Sequence, residues 1–249
     1  MFFAPNFKSK RGGSWNIQPF PPNCVAEGQE NYNGIFTGIS VEVCNECDIR
    51  ALYSNGFYGK GSHSRSIPNA LLQNESEDKK KIEESLSLGL EESFFLSYFL
   101  NVLKITDLNN EAMNWKDFIR YAQEVNVDFI ESLASYLYLK SKGWVVKSGL
   151  KFAGNYLIYR KGPRFFHASF VVIVNALPNS SHLQHNKLKG LQRIAETSDK
   201  DVLVLDVSKP ADFHMQTVND ITQISIAETV IKRLNYTSFV QQSQQRNVQ

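Results

Sequence analysis

The segment from Tyr159 to His167 places two side chains that can exchange protons on either side of a short turn. Tyr159 ends one predicted strand, Gly162 and Pro163 turn the chain, and His167 enters the next predicted strand. Such a turn can bring both side chains to one edge of a sheet, where a cleft would expose them. Taken alone, Tyr159 also fits an ordinary strand aromatic and His167 a hydrogen-bonded histidine of a core strand. The spacing leaves both interpretations open.

Basic side chains crowd the same stretch of the chain. They form a local positive patch that the net charge of +2, from 27 basic and 25 acidic residues, conceals. A patch of this kind attracts phosphate groups, although solvated surface side chains would give the same pattern. The residues concerned are Lys147, Lys151, Arg160, Lys161 and Arg164.

Metal and nucleotide chemistry have little support in the sequence. Cys44 and Cys47 have the spacing of half a zinc site, but a second cysteine pair or a nearby histidine pair is not evident. His182 and His185 lie in a polar loop without identifiable partner ligands. The chain has no Gly-x-x-x-x-Gly-Lys-Ser/Thr loop to hold phosphates. We therefore expect neither a metal nor another cofactor, and no nucleotide hydrolysis.

The composition predicts a folded intracellular protein. Apolar residues make up 42% of the chain and charged residues 21%, which is ordinary for a globular protein. No uncharged apolar run approaches the length that crosses a bilayer, and the N-terminus lacks the order of a secretory signal. The 3 cysteines give no disulfide framework and suit a reducing compartment. We expect no membrane association.

Periodicity divides the chain near residue 110. Residues 1–33 predict an irregular arm, and 34–110 predict a mixed α and β domain. In that domain we expect a short helix from Asp48, a solvated linker or frayed helix start over 73–85, and a helix over Leu90–Val102. A half-buried strand is predicted where apolar or β-branched residues alternate, at Ile35, Thr37, Ile39, Val41 and Val43.

The second predicted domain, residues 111–240, begins with two helices and continues as strands with a further helix before the last strand. The apolar run Phe165–Val174 indicates a strand buried on both faces, at the centre of a sheet covered by helices. Together the two parts predict an α/β fold, α+β overall, and residues 241–249 predict a disordered tail. The other elements are expected near 115–122, 129–137, 144–146, 156–159, 188–195 and 202–207, followed by a helix or a strand near 224–234.

Several blocks of the chain resemble the catalytic subunits of tRNA-splicing endonuclease. The blocks are 150–163, Phe-Phe-His167-Ala-Ser, and Arg193-Ile-Ala-Glu-Thr-Ser-Asp-Lys200-Asp. Their order of Tyr, Gly-Pro, His-Ala and Lys is the active-site pattern of that family. Residues 48–68 and 94–100 are similar to the eukaryotic subunit that cuts the 5′ splice site, the Sen-two type. The resemblance implies a C-terminal endonuclease domain that is restriction-endonuclease-like.

The resemblance also implies a reaction. The ribose 2′-hydroxyl attacks the neighbouring phosphate and leaves a 2′,3′-cyclic phosphate and a 5′-hydroxyl, without a metal. Tyr159 is then the general base, His167 the general acid and Lys200 the stabilising cation. A phenol with an ordinary pKa near 10 is protonated at neutral pH, so Arg160, Lys161 or Lys200 would have to favour phenolate. The alternative makes His167 the base and Tyr159 an orienting group.

Further expectations concern RNA and partners. By resemblance Arg193 stacks on a bulged intron nucleotide, while Arg233 is followed by leucine where the family often has tryptophan. Arg160, Lys161 and Arg164 are candidate RNA contacts. The family implies precursor tRNA as substrate, a nuclear location and a heterotetramer with a Sen-fifty-four-type structural subunit, a second catalytic subunit and a small structural subunit.

Two rival functions stay open. The first is a non-catalytic scaffold or RNA-binding subunit of the same kind of complex. The second is a metal-dependent nuclease of restriction-enzyme type, which needs paired carboxylates and a lysine around Mg²⁺. The carboxylates available for it are Glu196, Asp199, Asp201 and Asp206, none in a convincing Asp…Asp/Glu-x-Lys arrangement.

Overall fold

The structure, a computed structural model, describes Phe20, Pro21, residues 31–68, Leu71, residues 84–176 and residues 185–232, the side chains of 185–188 excepted. Most of the predicted arm over 1–33 and most of the linker over 73–85 lie outside these residues. So do Arg233, His182 and the predicted tail over 241–249.

The first of two sheets is built from the N-terminal part of the chain. Its strands are β1 (Tyr32–Phe36), β2 (Val41–Val43), β3 (Lys60–Gly61), β4 (Leu86–Leu88) and β5 (Leu103–Thr106), in the order β3-β4-β2-β1-β5. Strands β1 and β5 run parallel, and the other pairs are antiparallel. Helix α1 (Glu46–Ser54) begins where the Asn45 side chain accepts hydrogen bonds from two backbone N–H groups. Helix α2 (Leu90–Phe94) continues as a π-helix, Phe95–Phe99.

The prediction of one continuous strand from Ile35 to Val43 is wrong. A turn at Gly38, with φ +98°, separates β1 from β2, and the two strands pair antiparallel. The buried positions of β1 are Tyr32, Gly34 and Phe36, so Ile35 lies on the other face. The predicted helix over Leu90–Val102 is also too long, because the chain leaves the π-helix after Phe99 and enters β5.

The second sheet follows two helices, α3 (Trp115–Val125) and α4 (Phe129–Ser141). Strands β6 (Val145–Ser148), β7 (Tyr156–Tyr159), β8 (Phe170–Asn175), β9 (Asp201–Ser208) and β10 (Ser225–Ile231) form it in the order β10-β9-β8-β7-β6. Helix α5 (His185–Thr197) connects β8 to β9, which run parallel, and the other pairs are antiparallel. Short 3₁₀-helices occupy Leu150–Phe152 and Val218–Gln223.

Helices cover both faces of the second sheet. Helix α4 contacts β6, β8 and β9 and is buried over most of its length, whereas α5 packs against β9. Ile158 and Val172 belong to the larger core cluster, which also includes residues of the first sheet, while Val171 and Ala195 belong to a smaller cluster under α5. The predicted mixed α/β fold with a central, buried β8 is therefore confirmed. Among the described residues, no helix is long and apolar enough to span a bilayer.

Candidate active site

Strand pairing brings Tyr159, His167 and Lys200 to the same end of three neighbouring strands, which forms one edge of the second sheet. Tyr159 is the last residue of β7, His167 lies three positions before β8, and Lys200 directly precedes β9. Because β7 is antiparallel to β8, and β8 is parallel to β9, the end of β7 and the beginnings of the other two strands meet. Two strand spacings, about 10 Å, separate the backbones at Tyr159 and Lys200. Long side chains can converge across such a gap.

Tyr159 is only partly buried and packs against both core clusters. Burial raises the pKa of its phenol above the ordinary value. Desolvation penalises the charged form in the chain by itself, and the expectation that Arg160, Lys161 or Lys200 favours the phenolate stays a prediction. Any role of Tyr159 in proton transfer starts from the protonated phenol at neutral pH.

His167 is exposed at the mouth of this edge. It lies in the connection before β8 and not within a strand, which corrects the prediction that it enters the strand; the interpretation as a core histidine is also wrong. The reason is the turn before it, where the Gly162 carbonyl accepts hydrogen bonds from Phe165 N and Phe166 N. Phe166 and Ala168 on either side are buried, so the chain leaves His167 facing solvent.

Lys200 completes the edge from the side of α5. Its Nζ donates a hydrogen bond of 2.7 Å to the Ser198 carbonyl and lies 4.7 Å from the centroid of the Phe152 ring. Phe152 and Tyr159 pack against the same small cluster. Lys200 and Tyr159 therefore both lie next to this cluster. Sequence reasoning assigned Phe152 no role, although it lies within the block 150–163 that carries the family resemblance.

The turn between Tyr159 and His167 carries the basic residues. Arg160 and Lys161 are exposed, whereas Arg164 is half-buried. Burial raises the pKa of Tyr53 to about 12, and the Arg164 guanidinium opposes the shift. Arg164 thus acts electrostatically on a tyrosine of α1. Arg193 is exposed on α5, and Arg233 lies outside the described residues.

Lys147 is not part of the positive surface that the sequence suggested. Its Nζ donates hydrogen bonds to the carbonyl of Phe57, at 2.5 Å, and to that of Gly59. Glu92 lies 3.9 Å away. Burial lowers the pKa of Lys147, while the Glu92 carboxylate opposes that shift. The ammonium group therefore holds together two distant parts of the chain.

The carboxylates that a metal-dependent nuclease would use have other partners. Asp201 forms an ion pair of 2.8 Å with Lys232, and Asp206 accepts a hydrogen bond of 2.6 Å from the Asn175 amide. Glu196 accepts one from Gln192. Within the described part of the chain, no three or more His, Cys, Asp or Glu side chains are grouped to hold a metal ion. Cys44 and Cys47 are exposed free thiols.

Two family matches cover most of the described chain. Residues 32–119 match the tRNA intron endonuclease N-terminal domain, and residues 129–215 match the tRNA intron endonuclease catalytic C-terminal domain. The first match contains the first sheet, and the second contains Tyr159, His167 and Lys200.

Curated relatives come from vertebrates and archaea. The chain is 34% identical over 162 residues to tRNA-splicing endonuclease subunit Sen2 of Gallus gallus and 32% identical to that of Mus musculus. Each alignment covers 61% of this chain but only 35% of the vertebrate protein, so the chain spans about a third of those relatives. It is 28% identical over 178 residues to tRNA-splicing endonuclease of Saccharolobus islandicus, covering 72% of this chain and 91% of the archaeal one. The chain therefore belongs to the tRNA intron endonuclease family, and its vertebrate relatives place it with the Sen2-type subunits.

Proposed function

We propose that this chain is the subunit of a tRNA-splicing endonuclease that cuts precursor tRNA at the 5′ splice site. The observation that carries the proposal is the meeting of Tyr159, His167 and Lys200, from three separate points of the sequence, at one open sheet edge. The family matches and the names of the relatives support endonuclease chemistry.

In the proposed reaction, the ribose 2′-oxygen forms a bond to phosphorus while the bond from phosphorus to the 5′-oxygen breaks. One side chain accepts the 2′-hydroxyl proton and another gives a proton to the departing 5′-oxygen. Lys200 stabilises the extra negative charge on the phosphate oxygens. The products are a 2′,3′-cyclic phosphate and a 5′-hydroxyl, and the balance requires neither an oxidant nor a metal.

We assign the role of general base to Tyr159 and that of general acid to His167. In the alternative assignment, His167 is the general base. Because burial raises the pKa of Tyr159, phenolate is rare at pH 7. The rare phenolate is a strong base, which partly offsets its scarcity. In the alternative, Tyr159 stays protonated and orients the phosphate by donating a hydrogen bond, which agrees with the direction of its pKa.

RNA binding is proposed for the exposed basic residues around this edge. Arg160 and Lys161 are positioned on the turn to contact phosphates, and Arg193 faces solvent from α5. Arg164, being half-buried, would contact RNA only at its guanidinium tip. A contact from Arg233 stays a prediction, because that residue lies outside the described part of the chain.

The partners are proposed on the family relationship alone. We expect a heterotetramer with a Sen-fifty-four-type structural subunit, a second catalytic subunit for the 3′ cut and a small structural subunit. The substrate would be intron-containing precursor tRNA. The nuclear location stays a prediction that fractionation of cells expressing the tagged chain would check.

The experiment compares wild type with Lys200→Met in the reconstituted complex on intron-containing tRNA. Methionine retains contact with Phe152 but removes the charge, so we expect single-turnover cleavage at the 5′ site to fall about 10²- to 10³-fold. Cleavage at the 3′ site should continue, and Lys189→Met, an exposed lysine on α5, is the matched control. Unchanged 5′ cleavage would support the scaffold function, and loss of wild-type cleavage in a chelator would support the metal-dependent nuclease.

A further inference from the structure

The Phe57 ring lies directly against Gly162, in the turn between Tyr159 and His167. A Cβ atom built on Gly162 would come within 2.9 Å of Phe57 Cζ and closer still to two other ring carbons. Gly162 also has φ +118°, which favours glycine. The absence of a side chain at Gly162 therefore allows both the turn and the approach of the ring.

Phe57 is itself held in place from three sides. It follows the end of α1 with a left-handed φ of +59°, directly after Gly56 at φ +105°, and is only 2% exposed. Its carbonyl accepts the hydrogen bond from Lys147 Nζ, and its ring packs edge-on against Tyr53 and Phe165, with centroids 5.7 and 6.3 Å away. A bulky residue in the left-handed region needs such surroundings to persist.

These contacts connect the segment between α1 and β3 to the backbone that precedes His167. The Gly162 carbonyl accepts the hydrogen bonds of Phe165 N and Phe166 N, so the position of Gly162 sets the path of the chain up to His167. A displaced Phe57 would therefore shift the turn that separates the two proton-transferring side chains.

We propose that Phe57, held by Lys147, is a positioning residue that sets the separation of Tyr159 and His167 across the scissile phosphate. The proposal rests on the proposed function, because it concerns the same reaction. Phe57 touches neither RNA nor the reacting atoms in this account. It acts through Gly162, and Lys147 acts through the Phe57 carbonyl.

Four variants of the reconstituted complex test this coupling: Phe57→Ala, Gly162→Ala, the double variant, and Gly38→Ala as control. Gly38 has φ +98° with open space around its missing Cβ, so it reports the effect of a methyl group on a left-handed glycine alone. Single-turnover cleavage at the 5′ site is normalised to bound tRNA. We expect each of Phe57→Ala and Gly162→Ala to slow cleavage about 100-fold, since a displacement of 1 Å has that effect. Gly38→Ala should cleave at the wild-type rate.

The double variant gives the sharpest outcome. Removal of the ring relieves the clash with the methyl group but not the backbone strain at φ +118°, so the double variant should be impaired much less than the product of the two single effects, with tRNA affinity unchanged. Multiplication of the two single effects would overturn the proposal, as would wild-type cleavage by Phe57→Ala. If Phe57→Ala does not assemble, Phe57→Leu replaces it with the same expectations, and Lys147→Met, which leaves the ring in place, should by itself slow cleavage.

Failure of this proposal is distinguishable from failure of the proposed function. If the wild-type complex cleaves, and loses cleavage in Tyr159→Phe or His167→Ala but not in the Phe57 variants, only the positioning role is wrong. If cleavage is unaffected by Tyr159→Phe and His167→Ala, the proposed active site itself is wrong, and the positioning role is wrong with it.

Discussion

Lys140 is a buried cation whose ionisation should make the stability of this chain depend on pH. It lies on α4 and is 6% exposed, with its Nζ 4.7 Å from the ring centroid of Tyr58 and 5.7 Å from that of Phe95. Burial lowers the pKa of Lys140 to about 8, from 10.5; Glu92 opposes the shift, and Lys147 adds to it. Contacts with aromatic faces favour the charged form, so desolvation is the larger effect here.

The direction and size of the expected pH dependence of stability follow from the folded and unfolded pKa values of Lys140. Between the folded pKa of about 8 and the unfolded value of 10.5, the unfolded chain binds more protons, so stability rises with pH. From pH 7.5 to 9.5, this single group should increase the free energy of unfolding by about 2 kcal/mol. The buried tyrosines act in the opposite direction, because their raised pKa values penalise phenolate in the folded state, but the effect is small below pH 10: at pH 9.5 each subtracts about 0.2 kcal/mol.

Urea unfolding of the chain at pH 7.5, 8.5 and 9.5 measures this dependence. Wild type should gain about 2 kcal/mol over that range, equivalent to a rise of about 6 °C in Tm. Lys140→Met should lose most of the gain and retain only the part contributed by Lys147, whose pKa is also lowered. Lys104→Met, at an exposed position of β5, should behave as wild type. A flat wild-type profile, or an equal slope in Lys140→Met, would refute the reasoning.

Two further predictions separate the roles of Tyr159 and His167. If His167 is the acid, His167→Ala should slow cleavage about 10²- to 10⁴-fold, and a substrate with sulfur in place of the scissile 5′-oxygen should restore the rate, because a thiolate leaves without a proton. No restoration would show that His167 is the base. Tyr159→Phe removes only the hydroxyl and retains the ring, so tRNA binding should be unchanged. If Tyr159 is the base, Tyr159→Phe should slow cleavage as much as His167→Ala, and the sulfur substrate should not restore the rate. A loss below about 10-fold would instead indicate that Tyr159 is an orienting group.

Periodicity predicted the elements whose buried face is long and continuous. Helices α3 and α4 and strands β7 to β9 each present several apolar residues at regular spacing, so their positions follow from the sequence. Strands β3 and β4 have two and three residues, too few for a period to be recognised. In β1 the face was misassigned because Gly34 occupies a core position, where a Cβ would come within 2.5 Å of Val41 Cγ1. Glycine has no side chain, so a pattern of apolar side chains does not reveal a buried glycine.

The candidate site, like the fold, could be predicted from the sequence only in part. The turn at Gly162 allowed Tyr159 and His167 to be predicted as neighbours, but Lys200 came only from the family resemblance, since the parallel pairing of β8 with β9 is not visible in the sequence. Lys147 was misread because a lysine's charge does not report its burial. The contact of Phe57 with Gly162 could not be predicted, because it depends on packing between segments far apart in the chain.

We propose that the sheet edge with Tyr159, His167 and Lys200 cleaves RNA through the ribose 2′-hydroxyl. The most direct measurement uses intron-containing tRNA in which the nucleotide before the 5′ cleavage site carries a 2′-hydrogen in place of the hydroxyl. In a chelator, the complex should cut the unmodified tRNA at that site to a 2′,3′-cyclic phosphate, and should leave the substituted site intact while still cutting the 3′ site. Cleavage of the substituted 5′ site would contradict the account, because an attacking water would then have to replace the ribose hydroxyl.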